Sequence, residues 1–172
     1  MSLTLLFSLL SFSVCYDYEC GSQKTVQLTP AQWQFITTPL LPAPNSSVRE
    51  RQALRKTLAR FEQVIGGLTG TSADLAENAQ GAGEPGQMDC IDESTNSETY
   101  LRLLHSEHRL RFHTVKPRTY RNKWIFDVHW AAVIEETETG HQFAVDSWFL
   151  DNGEPPFIQA LDAWKNKDSF ED

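Results

Sequence analysis

Apolar residues recur along this chain first with a helical period and later with the alternation of β-strands. Thr29 and Pro30 mark the start of a first helix, because Thr is a favourable N-cap and Pro fits the first helical position. A second helix is predicted over residues 47–68, where a capping box at Ser47–Glu50 precedes a stripe of apolar residues. The stripe consists of Leu54, Leu58, Phe61, Ile65 and Leu68. Gly66-Gly67 is expected to end this helix.

The middle of the chain is a long loop that leads into a third helix. Residues 69–85 are rich in Gly, Asn, Ser and Thr, and loops of that length inside a compact domain are often functional. A helical pattern then runs from Cys90 to about His108. A cysteine therefore stands at the junction of a loop and a helix.

Strands dominate the remainder of the chain. Residues 110–115 alternate as a strand, and Lys116-Pro117-Arg118 is expected to start a turn. Residues 124–136 and 142–150 predict an antiparallel hairpin, and Ile158 to Trp164 predicts a short closing helix. This order indicates an α+β domain, in which N-terminal helices and a Cys-bearing central helix pack on an antiparallel β-sheet.

Each strand of the hairpin carries one polar residue suited to catalysis. Alternation puts His129 and Asp146 on the faces opposite two apolar sets that we expect in the core. The set of the first strand is Trp124, Phe126, Val128, Trp130, Ala132 and Ile134. A four-residue loop from Thr137 to Gly140 places Asp146 opposite Ala131 and diagonal to His129, within reach of a carboxylate and an imidazole. A two-residue turn would separate them.

Composition fits one domain of ordinary size. The chain has 172 residues, of which 40% are hydrophobic. We predict a single α+β domain over residues 16–172, with a candidate catalytic core at residues 86–150. The formal net charge of −8 and the lack of a basic cluster outside the helix of Arg49 to Arg60 argue against nucleic acid as a partner. Composition gives no prediction of the oligomeric state.

Residues 1–15 have the character of a secretory signal peptide. Met1 to Val14 is uncharged and apolar, is too short to span a bilayer, and ends in small residues that a signal peptidase accepts. Export to the periplasm or the exterior, with no integral membrane span after cleavage, is therefore predicted. The basic start of most signals is missing, so a buried N-terminal strand or helix is the alternative.

The three polar residues predict thiol chemistry. A cysteine attacks as its thiolate, which is stabilised by the amides of a helix N-terminus and by a neighbouring imidazolium. Cys90 is the candidate nucleophile and His129 the candidate general base. Asp146 is the candidate residue that orients the imidazole.

Other residues compete for roles in the site. Gln87, three residues before Cys90, is a candidate oxyanion donor through its side-chain amide. His113 is the alternative base and Asp127 the alternative orienting acid. A metal site built from the same residues is disfavoured, because the sequence has no closely spaced ligand pair. No metal or cofactor is predicted.

The main rival to a catalytic Cys90 is a disulfide with Cys20. In an oxidising compartment these two cysteines would form one bond. The bond would staple the N-terminal arm to the central helix of a non-enzymatic envelope protein.

Three segments carry a resemblance to a known family. Gly86–Asp92 ahead of a helix, His129–Val133 and Val145–Trp148 resemble the transglutaminase-like superfamily of papain-like thiol enzymes. The resemblance implies a Cys-His-Asp triad at Cys90, His129 and Asp146, and acyl transfer at the amide bonds of a peptide or protein substrate. The family often has an acidic residue shortly after the histidine and Pro after the aspartate, whereas this chain has alanines and Ser147. A non-enzymatic protein with a degenerate site is thus the alternative. The chain as a whole also resembles secreted bacterial proteins of no assigned activity.

Overall fold

A computed structural model describes residues 10–122, 128–166 and 170 of the chain. Within these residues it has a two-stranded and a four-stranded antiparallel sheet and four α-helices, which confirms the α+β class. The strands are β1 (Leu10–Tyr16), β2 (Ser22–Leu28), β3 (His113–Asn122), β4 (Val128–Glu136), β5 (Gln142–Asp146) and β6 (Phe157–Ala160). The helices are α1 (Pro30–Thr37), α2 (Ser47–Thr69), α3 (Cys90–Ser106) and α4 (Leu161–Asn166). Strands β1 and β2 pair with each other, and β3 to β6 pair in sequence order.

The main core lies where α2 and α3 pack on the large sheet and on the β1–β2 hairpin. The predicted stripe of α2 is buried as far as Ile65, and Phe61 stacks on Tyr100 of α3 with ring centroids 4.5 Å apart. The sheet contributes Ala132 and Val145 to this core. This stacking contact fixes the position of α3 relative to α2, and with it the position of the cysteine at the start of α3.

The opposite face of the sheet is also covered. Ala131 of β4 and Ala144 of β5 pack against Trp164 of α4, which is fully buried. The faces that carry small residues on β4 and β5 therefore meet an indole rather than solvent. As a result, His129 and Asp146, which lie on these faces, are in a low-dielectric environment.

The apolar set of the first hairpin strand is only partly in the core. Ala132 and Ile134 are buried as predicted, but Val128 is 44% exposed and Trp130 is half-buried. Helix α3 begins beside Val128, since the sulfur of its first residue lies 3.9 Å from the Val128 carbonyl oxygen. Because α3 only begins at this point, it leaves the first residues of β4 partly uncovered. The remaining members, at positions 124 and 126, lie outside the described residues.

Helix α2 begins with a different cap from the one predicted. The Ser46 hydroxyl accepts the Arg49 N–H at 3.3 Å, so the N-cap is one residue earlier than Ser47. Glu50 does not close a capping box; it is buried, and its carboxylate accepts hydrogen bonds from the start of β3. The spacing of Glu50 suggested a local capping role, but its carboxylate instead forms tertiary hydrogen bonds with β3 and the residues before it.

The end of α2 also differs from its prediction. The helix continues through Gly66 and Gly67 and ends at Gly70, which has a φ of 92°. A Cβ at position 66 would lie 2.9 Å from the Ser72 hydroxyl oxygen. Gly66 therefore allows the following loop to pack closely rather than ending the helix.

Two further element boundaries are corrected. Pro117 does not start a turn: β3 continues through it, and the pairing with β4 shifts between Lys116 and Thr119. A bulge is a position where a sheet tolerates Pro. Ile158 belongs to β6, and the closing helix starts only at Leu161.

The N-terminal segment forms a strand rather than lying apart from the domain. In β1, Val14 and Cys15 are buried, and Asn96 of α3 bonds both the N–H and the carbonyl oxygen of Cys15, each at 2.8 Å. Residues 10–16 are thus a strand in this structure, and residues 1–9 lie outside the described residues. Export stays a prediction. Among the described residues, no helix has the length and apolar character needed to cross a membrane.

Candidate active site

Cys90 is the first residue of α3 and has a free thiol. Cys15 and Cys20 form a disulfide with each other, so the predicted Cys20–Cys90 bond is wrong. Two cysteines five positions apart on one strand and the adjoining turn are already neighbours, whereas Cys90 faces β4. The thiol is half-buried and therefore remains open to reaction.

The acidic residues that flank Cys90 serve the backbone. The Asp89 carboxylate caps α3 by accepting the N–H groups of Ile91 at 3.0 Å and Asp92 at 2.9 Å. Asp92 in turn accepts the N–H groups of Tyr18 at 2.8 Å and Cys20 at 2.7 Å. Burial and the Asp89 charge raise the pKa of Asp92 to about 6. These carboxylates are thus engaged in holding the start of the helix.

The turn that Asp92 binds has an unusual backbone. Asp17, Tyr18, Glu19 and Cys20 all have φ between 51° and 65°, a conformation that side chains other than glycine rarely adopt. Three of their amides donate to Asp89 or Asp92, and the Cys15–Cys20 disulfide closes the turn. The first turn of α3 is therefore braced by the N-terminal hairpin.

His129 and Asp146 are joined by a hydrogen bond across the β4–β5 hairpin. The His129 Nε2 and Asp146 Oδ2 atoms are 2.7 Å apart. The register pairs Ala132 with Val145, and the Glu136 N–H donates to the His141 carbonyl oxygen at 2.8 Å. This is the predicted four-residue loop, which sets Asp146 opposite the residue after Trp130.

A buried indole completes the carboxylate site. The Trp164 Nε1–H donates to the same Asp146 oxygen at 2.7 Å. Asp146 and His129 are only 2% and 6% exposed. The rings of Trp148 and Phe149 each lie 5.0 Å from the imidazole, centroid to centroid. The pair is therefore sealed in an aromatic enclosure that strengthens its electrostatic interaction.

The imidazole is held in its charged form. Burial by itself lowers the pKa of His129, but hydrogen bonds with Asp146 and with Cys90 outweigh burial and raise the pKa to about 9. Because Nε2 is bound to Asp146, the ring nitrogen that faces the thiol is Nδ1. The structure thus joins His129 to Asp146 by a hydrogen bond and places Cys90 close enough to the imidazole to raise its pKa, so that an imidazolium lies near the sulfur at neutral pH.

Gln87 holds a loop instead of facing the thiol. Its Nε2 donates to the Ala73 carbonyl oxygen at 2.8 Å, and its Oε1 accepts hydrogen bonds from the Leu75 N–H at 3.2 Å and from Asn78. Its side-chain amide is engaged on both sides, so the oxyanion role predicted for Gln87 is corrected to a structural one. Sequence spacing placed it near Cys90 but could not show where the loop of residues 71–78 would fold back.

The alternative base, His113, is not part of the site. His113 is buried and its Nδ1 bonds Glu50 at 2.9 Å, while Arg51 donates to its Nε2 at 3.1 Å. Asp127 lies outside the described residues. Within the described ranges, His, Cys, Asp and Glu side chains form no group of three or more suited to holding a metal ion.

Sequence patterns did not reveal several residues that contact the triad and its supports. Trp164 bonds Asp146, and Ser147 donates to Glu93 Oε2 at 2.5 Å. Glu93 also shares a hydrogen bond with Asp74. Glu93 shares the helical spacing of the buried residues of α3, which was a usable signal in the sequence.

Comparisons with known proteins add no further assignment. No protein-family profile, no curated protein and no solved structure matches the chain. The chemistry of the site therefore has to be inferred from its geometry.

Proposed function

We propose that this protein is a thiol-dependent hydrolase or acyltransferase that acts on amide bonds through Cys90, His129 and Asp146. The observation that supports the proposal most strongly is the buried hydrogen bond between His129 and Asp146, with Cys90 close enough to His129 to raise the pKa of the imidazole. A helix-start cysteine with a buried histidine–aspartate pair is the arrangement that nucleophilic thiol catalysis requires. We further propose that the arrangement is of the papain and transglutaminase type, with a peptide or protein as the substrate.

The chemistry of the first step is acyl transfer to sulfur. The Cys90 thiolate attacks the carbonyl carbon, a C–S bond forms, and the carbonyl oxygen takes negative charge in a tetrahedral intermediate. When this intermediate collapses, the C–N bond breaks and His129 gives its proton to the departing amine. The products are a thioester on Cys90 and a free amine.

The second step resolves the thioester. Water or a second amine attacks the carbonyl carbon while neutral His129 accepts a proton, and the C–S bond breaks to restore the thiolate. Water gives hydrolysis and an amine gives transfer. Because the side-chain amide of Gln87 is engaged elsewhere, we propose the backbone N–H of Cys90 as the oxyanion donor. The mechanism needs no cofactor.

An activated ester tests this chemistry without knowledge of the natural substrate. We expect p-nitrophenyl acetate to release p-nitrophenol in a burst and to leave an acetyl group on Cys90, detectable by peptide mass mapping. Hydroxylamine added after the burst should remove the acetyl group from sulfur. The Cys90→Ser and His129→Gln variants should show neither burst nor adduct, while His105→Gln, an exposed histidine near the end of α3, should behave as the wild type.

The outcomes separate the hypotheses. An acetyl group found only on lysines, or a burst that survives in Cys90→Ser, would contradict a thiol mechanism. The Cys15–Cys20 pairing leaves Cys90 as a free thiol, which supports the thiol mechanism over the disulfide form of the envelope-protein hypothesis. Within the proposal, the ratio of acid to hydroxamate formed from the acyl-protein distinguishes a hydrolase from a transferase.

A further inference from the structure

A buried hydrogen-bonded network connects the segment that carries Cys90 to the strand that carries Asp146. On α3, Glu93 lies three residues after Cys90, and its Oε2 accepts the hydroxyl of Ser147 at 2.5 Å. Ser147 is the residue directly after Asp146. The hydroxyl and the carboxyl group are both buried.

The same network reaches the chain on the other side of the cysteine. Glu93 shares a hydrogen bond with Asp74, and Asp74 Oδ1 accepts the N–H of Met88 at 2.8 Å. Met88 lies two residues before Cys90. The nucleophile is therefore held from both sides, upstream through Asp74 and downstream through Glu93.

A hydrogen bond between two carboxyl groups requires a proton on one of them. Burial, with the charges of Glu62 and Asp74, raises the pKa of Glu93 well above its ordinary value, and burial raises the pKa of Asp74 to about 6. The proton therefore resides on Glu93, which donates to Asp74 and accepts from Ser147.

We propose that Glu93, in its acid form, is a positioning residue that fixes the Cys90 sulfur relative to the His129–Asp146 pair. This inference rests on the proposed function, because positioning matters only if the thiol reacts through the imidazole. Glu93 itself does not face the sulfur in the contacts described; it acts through Ser147, directly after β5, and through Asp74 on the preceding loop. A displacement of about 1 Å at a reacting atom can cost on the order of 100-fold in rate, so a support of this kind has a measurable effect.

Other ionisable groups surround the network. Glu62 of α2 and the phenol of Tyr100 face Glu93, and Asp92 and Tyr18 face Asp74. Burial raises the pKa of Glu62 to about 8. These groups are all acids, so a rising pH adds negative charge to the cluster and works against the proton that Glu93 must keep.

The test compares Glu93 variants by the rate at which iodoacetamide alkylates Cys90 in the native full-length protein at pH 7. Glu93→Gln preserves both hydrogen bonds, since its amide donates to Asp74 and its carbonyl accepts from Ser147, and we expect a rate within about twofold of the wild type. Glu93→Leu removes both bonds while filling a similar volume, and we expect alkylation to slow by about tenfold or more. Glu107→Gln, at the exposed end of α3, is the control for a charge change on the same helix.

A second variant keeps the test decisive if Glu93→Leu fails to fold. Ser147→Ala removes only the link to β5, leaves the Glu93–Asp74 pair in place, and should slow alkylation several-fold. Wild-type rates in both Glu93→Leu and Ser147→Ala, or a Glu93→Gln variant as slow as Glu93→Leu, would overturn the positioning role. If instead wild-type Cys90 reacts like free cysteine and is indifferent to His129→Gln, the proposed function itself fails.

Discussion

Replacing Asp146 by Asn is expected to lower the rate of Cys90 acylation by p-nitrophenyl acetate by a factor on the order of 10³–10⁴. The Asp146 carboxylate can only accept hydrogen bonds, so it obliges His129 to carry a proton on Nε2 and presents Nδ1 to the thiol. An asparagine at position 146 can donate its own N–H to Nε2. The neutral ring then carries its proton on Nδ1 and cannot take one from sulfur.

The Trp164 indole adds to the effect of this substitution. It donates to the same oxygen of Asp146, so the amide must serve two donors with one oxygen, and a flipped amide leaves the indole without an acceptor. Asp162→Asn, an exposed acid on the same helix as Trp164, is the matched control and should react normally. A folded Asp146→Asn protein with an acylation rate within a factor of about three of the wild type would contradict the role of the triad.

Replacing Glu50 by Ala is expected to lower the free energy of unfolding by about 3–5 kcal/mol at pH 7. The Glu50 carboxylate is fully buried and accepts the N–H groups of Arg111 at 2.7 Å and Phe112 at 3.0 Å, and it binds His113 Nδ1 at 2.9 Å. Alanine leaves the buried His113 imidazole and the two partly buried N–H groups without their acceptor. Chemical denaturation followed by circular dichroism measures the loss.

The stability lost in Glu50→Ala is expected to depend on pH, and the direction follows from the pKa of Glu50. Burial by itself raises the pKa of Glu50, but the bonds from His113 and from the two amides outweigh burial and lower it. A carboxyl group with a lowered pKa in the folded state contributes stability above its unfolded pKa of about 4.5 and loses that contribution as the pH falls below it. The difference between Glu50→Ala and wild type should therefore shrink in acid. Gln52→Ala, an exposed change on the same helix, should cost little, and equal losses in both variants would be evidence against the anchoring role of Glu50.

The sequence predicted those features of the site that follow from local geometry, namely the length of a hairpin loop, the alternation of side chains along a strand and the start of a helix. The hairpin register follows from the four-residue loop that ends at Gly140, and side-chain alternation then places His129 and Asp146 on one face. Likewise, Cys90 at a change from loop to helical periodicity lies at the start of α3. These predictions needed only neighbouring residues in sequence and the geometry of a strand or helix.

The supports of the site depended on contacts between distant segments. Glu93 shares the spacing of the buried residues Ser97, Tyr100 and Leu104 on α3, so a helical projection would have placed its carboxyl group inside. Its partners, Asp74 on the loop and Ser147 directly after β5, could not be predicted, because nothing local to α3 specifies them. The same holds for Trp164, whose indole reaches Asp146 from α4, 18 residues further along the chain.

The wrong predictions share one cause, which is that a side chain with suitable chemistry bonds to a different partner in the folded chain. Gln87 and His113 have the chemistry of site residues, yet each finds nearer partners in the folded chain, at Ala73 and Glu50 respectively. Cys20 likewise bonds Cys15 rather than Cys90. Residue type gives the chemistry that a side chain can perform, and packing selects the partner.

The central claim, that His129 activates Cys90, is tested most directly by the rate of alkylation of native Cys90 by iodoacetamide as a function of pH. With Cys15 and Cys20 in a disulfide, Cys90 is the free thiol, and peptide mapping confirms the labelled site. Free cysteine is only a few per cent thiolate at pH 7, so we expect Cys90 to react about tenfold faster than free cysteine at that pH. The advantage over His129→Gln should hold at pH 7 and vanish as the pH rises through about 9, where the imidazolium loses its proton. A Cys90 that reacts no faster than free cysteine at pH 7, or that reacts equally fast in His129→Gln, would contradict the account.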